Sequence, residues 1–412
     1  MNRKQLKNHR LVLIYALYII YRQQFSNRRF IMKVFVGVGL GPIQTGIFMS
    51  GACRGGFDRI VIAEVDDKLR NAINDNGGVV TINTAYADSI KVEVIKNVEV
   101  YNPNTPEGRE KLVEAAAEAC ELATALPSVK FFAYCAPWMV EGFRKQPDRV
   151  RFIYTAENNN RAAEELEEAL GEKFPNTYCL NTVVGKMSGV VPEADCAARG
   201  VEKLAPAADR AHLVEAFNKI YISSCPGIEN RAVENLYVKN DLLPFEEAKL
   251  YGHNAIHFLL GTFGKTAGCE YMSDLTRHPE LIALAREAFI NESGAALCKK
   301  YAGFDELFTA EGFKAYAEDL LERMPNPFLQ DAIARITRDL PRKLSWEDRV
   351  VGTMRLVLSQ NEVPRVFAKG AALAAKEEFG SDAAAVKAGL QALWGKWDDE
   401  AVKVWELIEK NL

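Results

Sequence analysis

Apolar residues recur along this chain in two rhythms, and the change from one to the other divides it. From Lys33 onward, short apolar runs alternate with helical patterns. Val34-Phe-Val36 predicts a strand, a Gly-rich turn follows, and Ile47-Phe-Met49 supplies the apolar side of a helix. Arg59-Ile-Val-Ile-Ala63 predicts the next strand, Val94 to Tyr101 another, and the Ala/Glu/Leu-rich stretch from Glu107 to Ala125 a helix. Val129-Lys-Phe-Phe-Ala-Tyr134 and Val150-Arg-Phe-Ile-Tyr-Thr155 read as β-rich. Ala156-Glu-Asn-Asn-Asn160 then caps the latter strand and opens a helix from Arg161 to Leu170. Beyond Cys225-Pro-Gly227 the strand-like runs fade. A period of about 3.6 residues predicts amphipathic helices over Glu246 to Leu260, Pro279 to Lys300, Glu311 to Met324 and Asp382 to Leu412. The expected architecture is an α/β domain over residues 32–225 and a mostly α-helical domain over 226–412. A functional cleft is expected between them, because pockets favour domain interfaces.

Residues 1–31 differ from the rest. Leu11 to Tyr21 is apolar and flanked by basic residues, but eleven residues are too few to span a bilayer. No small-residue cleavage site follows; Arg22-Gln-Gln-Phe-Ser-Asn-Arg-Arg29 does. Met32 directly precedes the first strong strand, so residues 1–31 read as an extension upstream of the natural start, the alternative being a weak membrane-associating leader.

Composition narrows the class. The chain has 412 residues, 48% hydrophobic and 26% charged, with a net charge of −4 and interspersed signs. It can build a sizeable core, and it carries no long basic run in its body, which disfavours nucleic-acid binding. The eight cysteines are scattered without C-x-x-C spacing, as expected of small buried residues in a reducing compartment such as the cytoplasm. No compact His/Cys ligand set is present, so no metal is expected.

The Gly-rich turn carries the first chemistry. Gly37-Val-Gly39-Leu-Gly41-Pro-Ile-Gln-Thr-Gly46 lies between a predicted strand and a predicted helix, and the next strand ends in Glu64-Val-Asp66. That is the order of a Rossmann-type dinucleotide-binding βαβ unit. Glycines permit the tight turn and close approach of a pyrophosphate, the helix N-terminus faces the phosphates, and an acid at the strand end accepts from ribose hydroxyls. Pro42 occupies the sixth position of G-x-G-x-x-G, and Gly46 takes the close-packing role after a longer loop.

The second chemical signal is Lys249-Leu-Tyr-Gly-His-Asn254-Ala-Ile-His257, spaced K-x4-N-x2-H. On an ideal helix Lys249 lies at 0°, Asn254 at about 140° and His257 at about 80°. One half of the helix then presents an amine that can lose a proton, an amide that can donate to an oxyanion, and an imidazole that can orient either. Lys249 and His257 lie about 12 Å apart along an ideal axis. Lys249 must therefore reach along the helix or belong to a distorted first turn.

This run resembles the signature of the polyol-specific long-chain dehydrogenases, a group that includes mannitol dehydrogenases, mannitol-1-phosphate 5-dehydrogenases and hexuronate reductases. The resemblance covers about residues 33 to 360, most loosely between 80 and 220. Ala63-Glu64-Val65-Asp66 is similar to the family's strand end, where an acid favours NAD over NADP, and Glu157-Asn158 is similar to its acidic-Asn pair. Glu292-Ser-Gly-Ala-Ala-Leu-Cys-Lys-Lys-Tyr301, Asn326-Pro-Phe-Leu-Gln-Asp331 and Arg342-Lys-Leu-Ser-Trp-Glu-Asp-Arg349 most resemble the mannitol-1-phosphate branch. Two departures stand out: Gly185-Lys186 replaces an Asp-Arg pair, and Tyr134-Cys135-Ala136 replaces a smaller, Gly-containing stretch.

The resemblance implies hydride transfer between NAD and a secondary carbinol carbon. Lys249 would be the base, Asn158 and Asn254 the oxyanion donors, and His257 the group that orients a substrate hydroxyl. Gly37, Gly39, Gly41, Gly46 and Glu64 would bind the cofactor. Arg342 and Lys343 form a candidate phosphate clamp, combining a guanidinium fork with a point charge. The implied substrate is a small polyol or sugar phosphate, mannitol 1-phosphate and fructose 6-phosphate first, with free mannitol and fructose or a hexuronate as alternatives. No nucleic-acid or membrane partner is expected. From the nucleotide region alone, an S-adenosylmethionine-dependent methyltransferase fits as well, because it too uses a Gly-rich turn and an acid ending the second strand. A catalytically silent NAD sensor would keep Glu64 and the glycines but has no use for Lys249, Asn254 and His257 together.

Overall fold

The computed structural model describes residues 32–412, so the expected extension over 1–31 lies outside the described residues. Strands β1 (Val34–Val38), β2 (Arg59–Ala63), β3 (Val80–Ala85), β4 (Ile90–Ile95), β5 (Val98–Tyr101) and β6 (Ala119–Thr124) are followed by β7 (Arg151–Thr155), β8 (Thr177–Val183), β9 (Ser188–Pro192), β10 (Arg210–Glu215), β11 (Ile220–Ser223) and β12 (Leu236–Lys239). They form an eight-stranded sheet in the order β12-β11-β8-β7-β6-β1-β2-β5 and a four-stranded sheet in the order β4-β3-β10-β9. From β5 to β8 the large sheet is parallel, and its strand order is that of the doubly wound dinucleotide fold. Only the β8–β11 pairing runs antiparallel within it.

The period of two in β1 shows why this strand lies at the centre. Phe35 packs into one core with Ile60, Ile62, Ile82 and Val214, beneath the smaller sheet. Val34, Val36 and Val38 face the other way, onto the helices Pro106–Glu118, Phe132–Lys145 and Ala162–Leu170. Both faces are covered, which is what all-apolar parallel strands require. The C-terminal part is helical around a separate core, with Phe258, Leu259, Phe289, Phe313 and Phe367 fully buried.

Several elements differ from expectation, each for a local reason. The helix expected from Glu107 to Ala125 stops at Glu118, and Ala119–Thr124 is strand β6 between β1 and β7. Because β6 is buried on both faces, its apolar run shows no alternation to separate it from the helix before it. The stretch Val129 to Tyr134, read as β-rich, instead forms a short 3₁₀ turn and the start of Phe132–Lys145. Ser128 caps that turn at Lys130 N (3.3 Å), and Phe132, Cys135, Ala136, Met139 and Phe143 share the buried side of the helix. Val94 to Tyr101 is split at Asn97, whose φ of 59° ends β4 and sends β5 to the other sheet. Gly395, at φ 65°, divides the last predicted helix into Ala383–Trp394 and Asp399–Glu409. The division expected at residue 225 cuts the large sheet, since β12 at Leu236–Lys239 is its edge strand.

Candidate active site

Two clefts flank this framework. The first, of about 800 Å³, opens at the carboxyl ends of β1 and β2 and is lined by Gly39, Gly41, Glu64, Leu126, Trp138 and Arg210 among others. Gly39 has φ +83°, and a Cβ there would lie 3.0 Å from Ala125 O. At Gly46 a Cβ would lie 2.6 Å from Val214 Cγ1, so this glycine lets the helix press onto the second sheet. At Gly37 a Cβ would overlap the Gln44 amide. A Cβ at Gly41 meets nothing within 4 Å, so its backbone borders free space at the turn. Pro42 begins the helix, where its fixed φ is compatible and no N–H is missed. Glu64 is half-buried and held by two backbone amides, Leu40 N to Oε2 at 2.9 Å and Asp66 N to Oε1 at 2.8 Å. An open cradle at Gly41 beside a fixed carboxylate at the end of β2 fits a pyrophosphate and a ribose diol.

The second cleft, of about 440 Å³, lies between the large sheet and the helical part and is lined by Lys249, His253, Phe217, Lys239, Tyr316 and Arg323 among others. Lys249 belongs to a π-helical segment, Ala248–Asn254, within a helix that runs over residues 243–266. Bonding from i to i+5 brings residues five apart nearly into line, as Lys249 and Asn254 are. The large angular offset of an ideal α-helix therefore shrinks; the distortion expected in the first turn lies further in, because the helix already begins at Leu243. A second π segment, Ala288–Gly294, packs against the first: a Cβ at Gly252 would lie 3.0 Å from the Phe289 ring.

Among the described residues the Lys249 amine has neither a hydrogen bond nor an ion pair. Burial pushes its pKa down to about 8, the Arg349 guanidinium adds to this, and Glu246 opposes it. Glu246 itself is pushed up to about 7, by burial first and then by Glu164. Asn254 is half-buried with its amide uncommitted among the described residues. His257 Nε2 lies 2.9 Å from Asp331 Oδ2, while Arg335 donates to Asp331 Oδ1 at 2.8 and 2.6 Å. Burial works against the charge of Asp331, yet its bonds to His257 and Arg335 hold the carboxyl below the usual range. His253 is buried, and desolvation keeps its imidazole far below the usual pKa.

The expected set is thus brought together only in part. Lys249 lines the second cleft, Asn254 and His257 follow on the same helix, and His257 turns its Nε2 toward Asp331 rather than into that cleft. Asn158 is exposed just past β7 and lines neither cleft. Its neighbour Glu157 is buried, with its carboxylate accepting from Thr124 Oγ1 at 2.9 Å and Leu126 N at 2.8 Å. The Arg342–Lys343 clamp is not formed. Lys343 is buried and donates to the carbonyls of Ile336 (2.6 Å) and Arg338, and Arg342 is engaged by Asp339 and Asp348. Both cations serve to fold the turn around Leu340–Lys343.

Sequence reasoning missed His253, Asp331 and Arg323. The guanidinium of Arg323 grips Glu215 at 2.7 and 2.8 Å, donates to Gly185 O at 3.1 Å, and lies 3.8 Å from the centre of the Phe217 ring. The departure at Gly185-Lys186 is explained here: Gly185 accepts from Arg323, and buried Lys186 donates to Phe217 O at 2.7 Å. At the other departure, Tyr134 and Cys135 line the first cleft, with Tyr134 75% exposed at its rim. Asp331 ends a motif already singled out, but its partner lies 74 positions away and no local pattern announces the pair. No group of three or more His, Cys, Asp or Glu that could hold a metal occurs among the described residues, and none of their helices is long and apolar enough to cross a membrane.

Comparison with known proteins agrees with this layout. Residues 241–412 match the model of the mannitol dehydrogenase C-terminal domain. A mannitol-1-phosphate 5-dehydrogenase of Bacillus licheniformis is 28% identical over 357 residues, 85% of this chain and 89% of the relative. One from Aureobasidium melanogenum is 25% identical and covers 76% and 78%. In fold the chain is similar to Pseudomonas fluorescens mannitol 2-dehydrogenase, solved with NAD and D-mannitol, at TM-score 0.66 and 14% identity over 92% and 91% of the two chains. It is also similar to a D-sorbitol dehydrogenase, at TM-score 0.70 and 14% identity over 92% of each. The helical half that matches the mannitol dehydrogenase C-terminal domain carries Lys249, Asn254 and His257, and the large sheet before it has the dinucleotide strand order.

Proposed function

We propose that this chain is an NAD-dependent polyol dehydrogenase that interconverts mannitol 1-phosphate and fructose 6-phosphate, with Lys249 as the proton acceptor. The observation that carries the reading is a lysine at a cleft between sheet and helices, unpaired among the described residues, with a pKa lowered to about 8 by burial. Bound NAD supplies the hydride acceptor. Gly39, Gly41 and Glu64 would hold it at the ends of β1 and β2, which fits the cradle and the carboxylate found there. In the neutral form the Lys249 amine accepts the carbinol proton; in the charged form it returns that proton to the carbonyl oxygen. Asn254 donates to the oxygen as charge develops, whereas Asn158, the second donor the resemblance implies, stands exposed past β7 and lines neither cleft. His257, with Nε2 turned to Asp331, offers Nδ1 to a substrate hydroxyl.

Phosphate as the substrate's anionic group rests on the names of the relatives. Because Arg342 and Lys343 are occupied within the fold, a free hexitol is the second reading, and it needs no clamp. An NADH-oxidation screen against fructose 6-phosphate, fructose, tagaturonate and fructuronate tests both. Preferred turnover of fructose 6-phosphate supports the first reading; preferred turnover of fructose supports the second, and of either hexuronate rejects both. Lys249→Ala should still bind NADH while turnover falls by several orders of magnitude, and near-normal turnover would remove the base assignment.

A further inference from the structure

One residue lining the first cleft comes from outside the large sheet and its helices and loops. Arg210, the first residue of β10, enters it from the four-stranded sheet and shares its lining with Glu64, Val65 and Leu69. Its Nη2 donates to Asp66 Oδ2 at 2.8 Å and to Asp209 Oδ2 at 3.3 Å, and its Nε donates to Asp209 Oδ1 at 2.6 Å. Asp66 divides its oxygens between two tasks. Oδ1 caps the helix Asp67–Asn74, accepting from Lys68 N at 3.1 Å and Leu69 N at 3.2 Å, and Oδ2 takes the guanidinium.

The end of the second strand is where the adenosine ribose of a bound dinucleotide is read: an acid there accepts from the 2′-hydroxyl, and an arginine nearby accommodates a 2′-phosphate. This cleft holds both groups, with the arginine neutralised by two carboxylates. We propose that Arg210 is a specificity-determining residue for the 2′ position of the dinucleotide, kept from accepting a phosphomonoester by its pairing with Asp66 and Asp209. The proposal rests on the dinucleotide reading of the cleft. It assigns to the second sheet a part in choosing the cofactor, beyond the acid at Glu64.

Asp66→Asn is the informative change. Asn caps a helix as well as Asp does, so the helix start is kept, but its amide nitrogen cannot accept from a guanidinium. NADH and NADPH affinities are measured by nucleotide fluorescence titration for the wild-type chain, Asp66→Asn, and Asp66→Asn combined with Arg210→Gln. Asp66→Ser serves as a second capping variant. The ratio of NADPH to NADH Kd should fall roughly tenfold in Asp66→Asn, the scale of one hydrogen bond to a charged group, and return toward the wild-type ratio in the double variant. An unchanged ratio in both capping variants overturns the proposal, as does a gain that survives loss of Arg210. If the wild-type chain binds neither nucleotide, the dinucleotide reading itself falls, and this proposal with it.

Discussion

At the scale of single residues, the protonation state of Lys249 governs the direction of the proposed reaction. The amine must be neutral to take a proton from an alcohol and charged to give one to a ketone. Its pKa is lowered to about 8 by burial and by Arg349. Polyol oxidation should therefore rise with pH through about 8 and ketose reduction should fall through the same range, read as kcat/KM profiles in the two directions. A profile flat between pH 7 and 9 in both directions would count against Lys249. In the proposed reaction Asp331 acts through its 2.9 Å contact with His257. A carboxylate facing Nε2 favours the tautomer with the proton on that nitrogen, leaving Nδ1 as an acceptor. Asp331→Asn should lower kcat/KM by roughly 10- to 100-fold, the usual scale for losing an orienting partner. Restoration by Asp331→Glu would separate orientation from a general loss of folding.

At the scale of elements, legibility followed local pattern. The Gly-rich turn, Glu64 and the K-x4-N-x2-H helix could be read because each is written in a few adjacent positions. β6 could not, because a strand buried on both faces has the same apolar content as the helix that leads into it. The π turn at Ala248–Asn254 was signalled only indirectly, by the gap of about 12 Å between Lys249 and His257 along an ideal helix axis. Arg342 and Lys343 showed the limit of reading charge from sequence, since two adjacent cations say nothing about which carbonyls and carboxylates will claim them. The second π segment makes its own contribution. Its Glu292 is buried and accepts from Val366 N at 2.7 Å and Phe367 N at 3.2 Å, tying it to the start of Arg365–Phe379. Glu292→Gln keeps one acceptor and turns a donor toward the other amide. The expected loss is about 1–3 kcal/mol, visible as a lower urea midpoint, and an unchanged midpoint would show that the anchor contributes nothing.

At the scale of the whole molecule, the second sheet joins the two clefts. β10 starts at Arg210, which lines the first cleft, and ends at Glu215, which holds Arg323 at the rim of the Lys249 cleft. The six residues from Arg210 to Glu215 form one paired strand, flanked by β3 and β9. The grip of Arg323 on Glu215 and Gly185 also ties the helical half to the second sheet and the loop before it. Swinging the helical half away from the sheet would break two charged hydrogen bonds to Glu215, each worth about 1.5–3 kcal/mol. A splayed form would then be populated by on the order of one molecule in a hundred or fewer. For the proposed reaction, exchange of dinucleotide and polyol through the standing mouths of the clefts leaves this grip intact, so doorways can serve each turnover without an opening jaw.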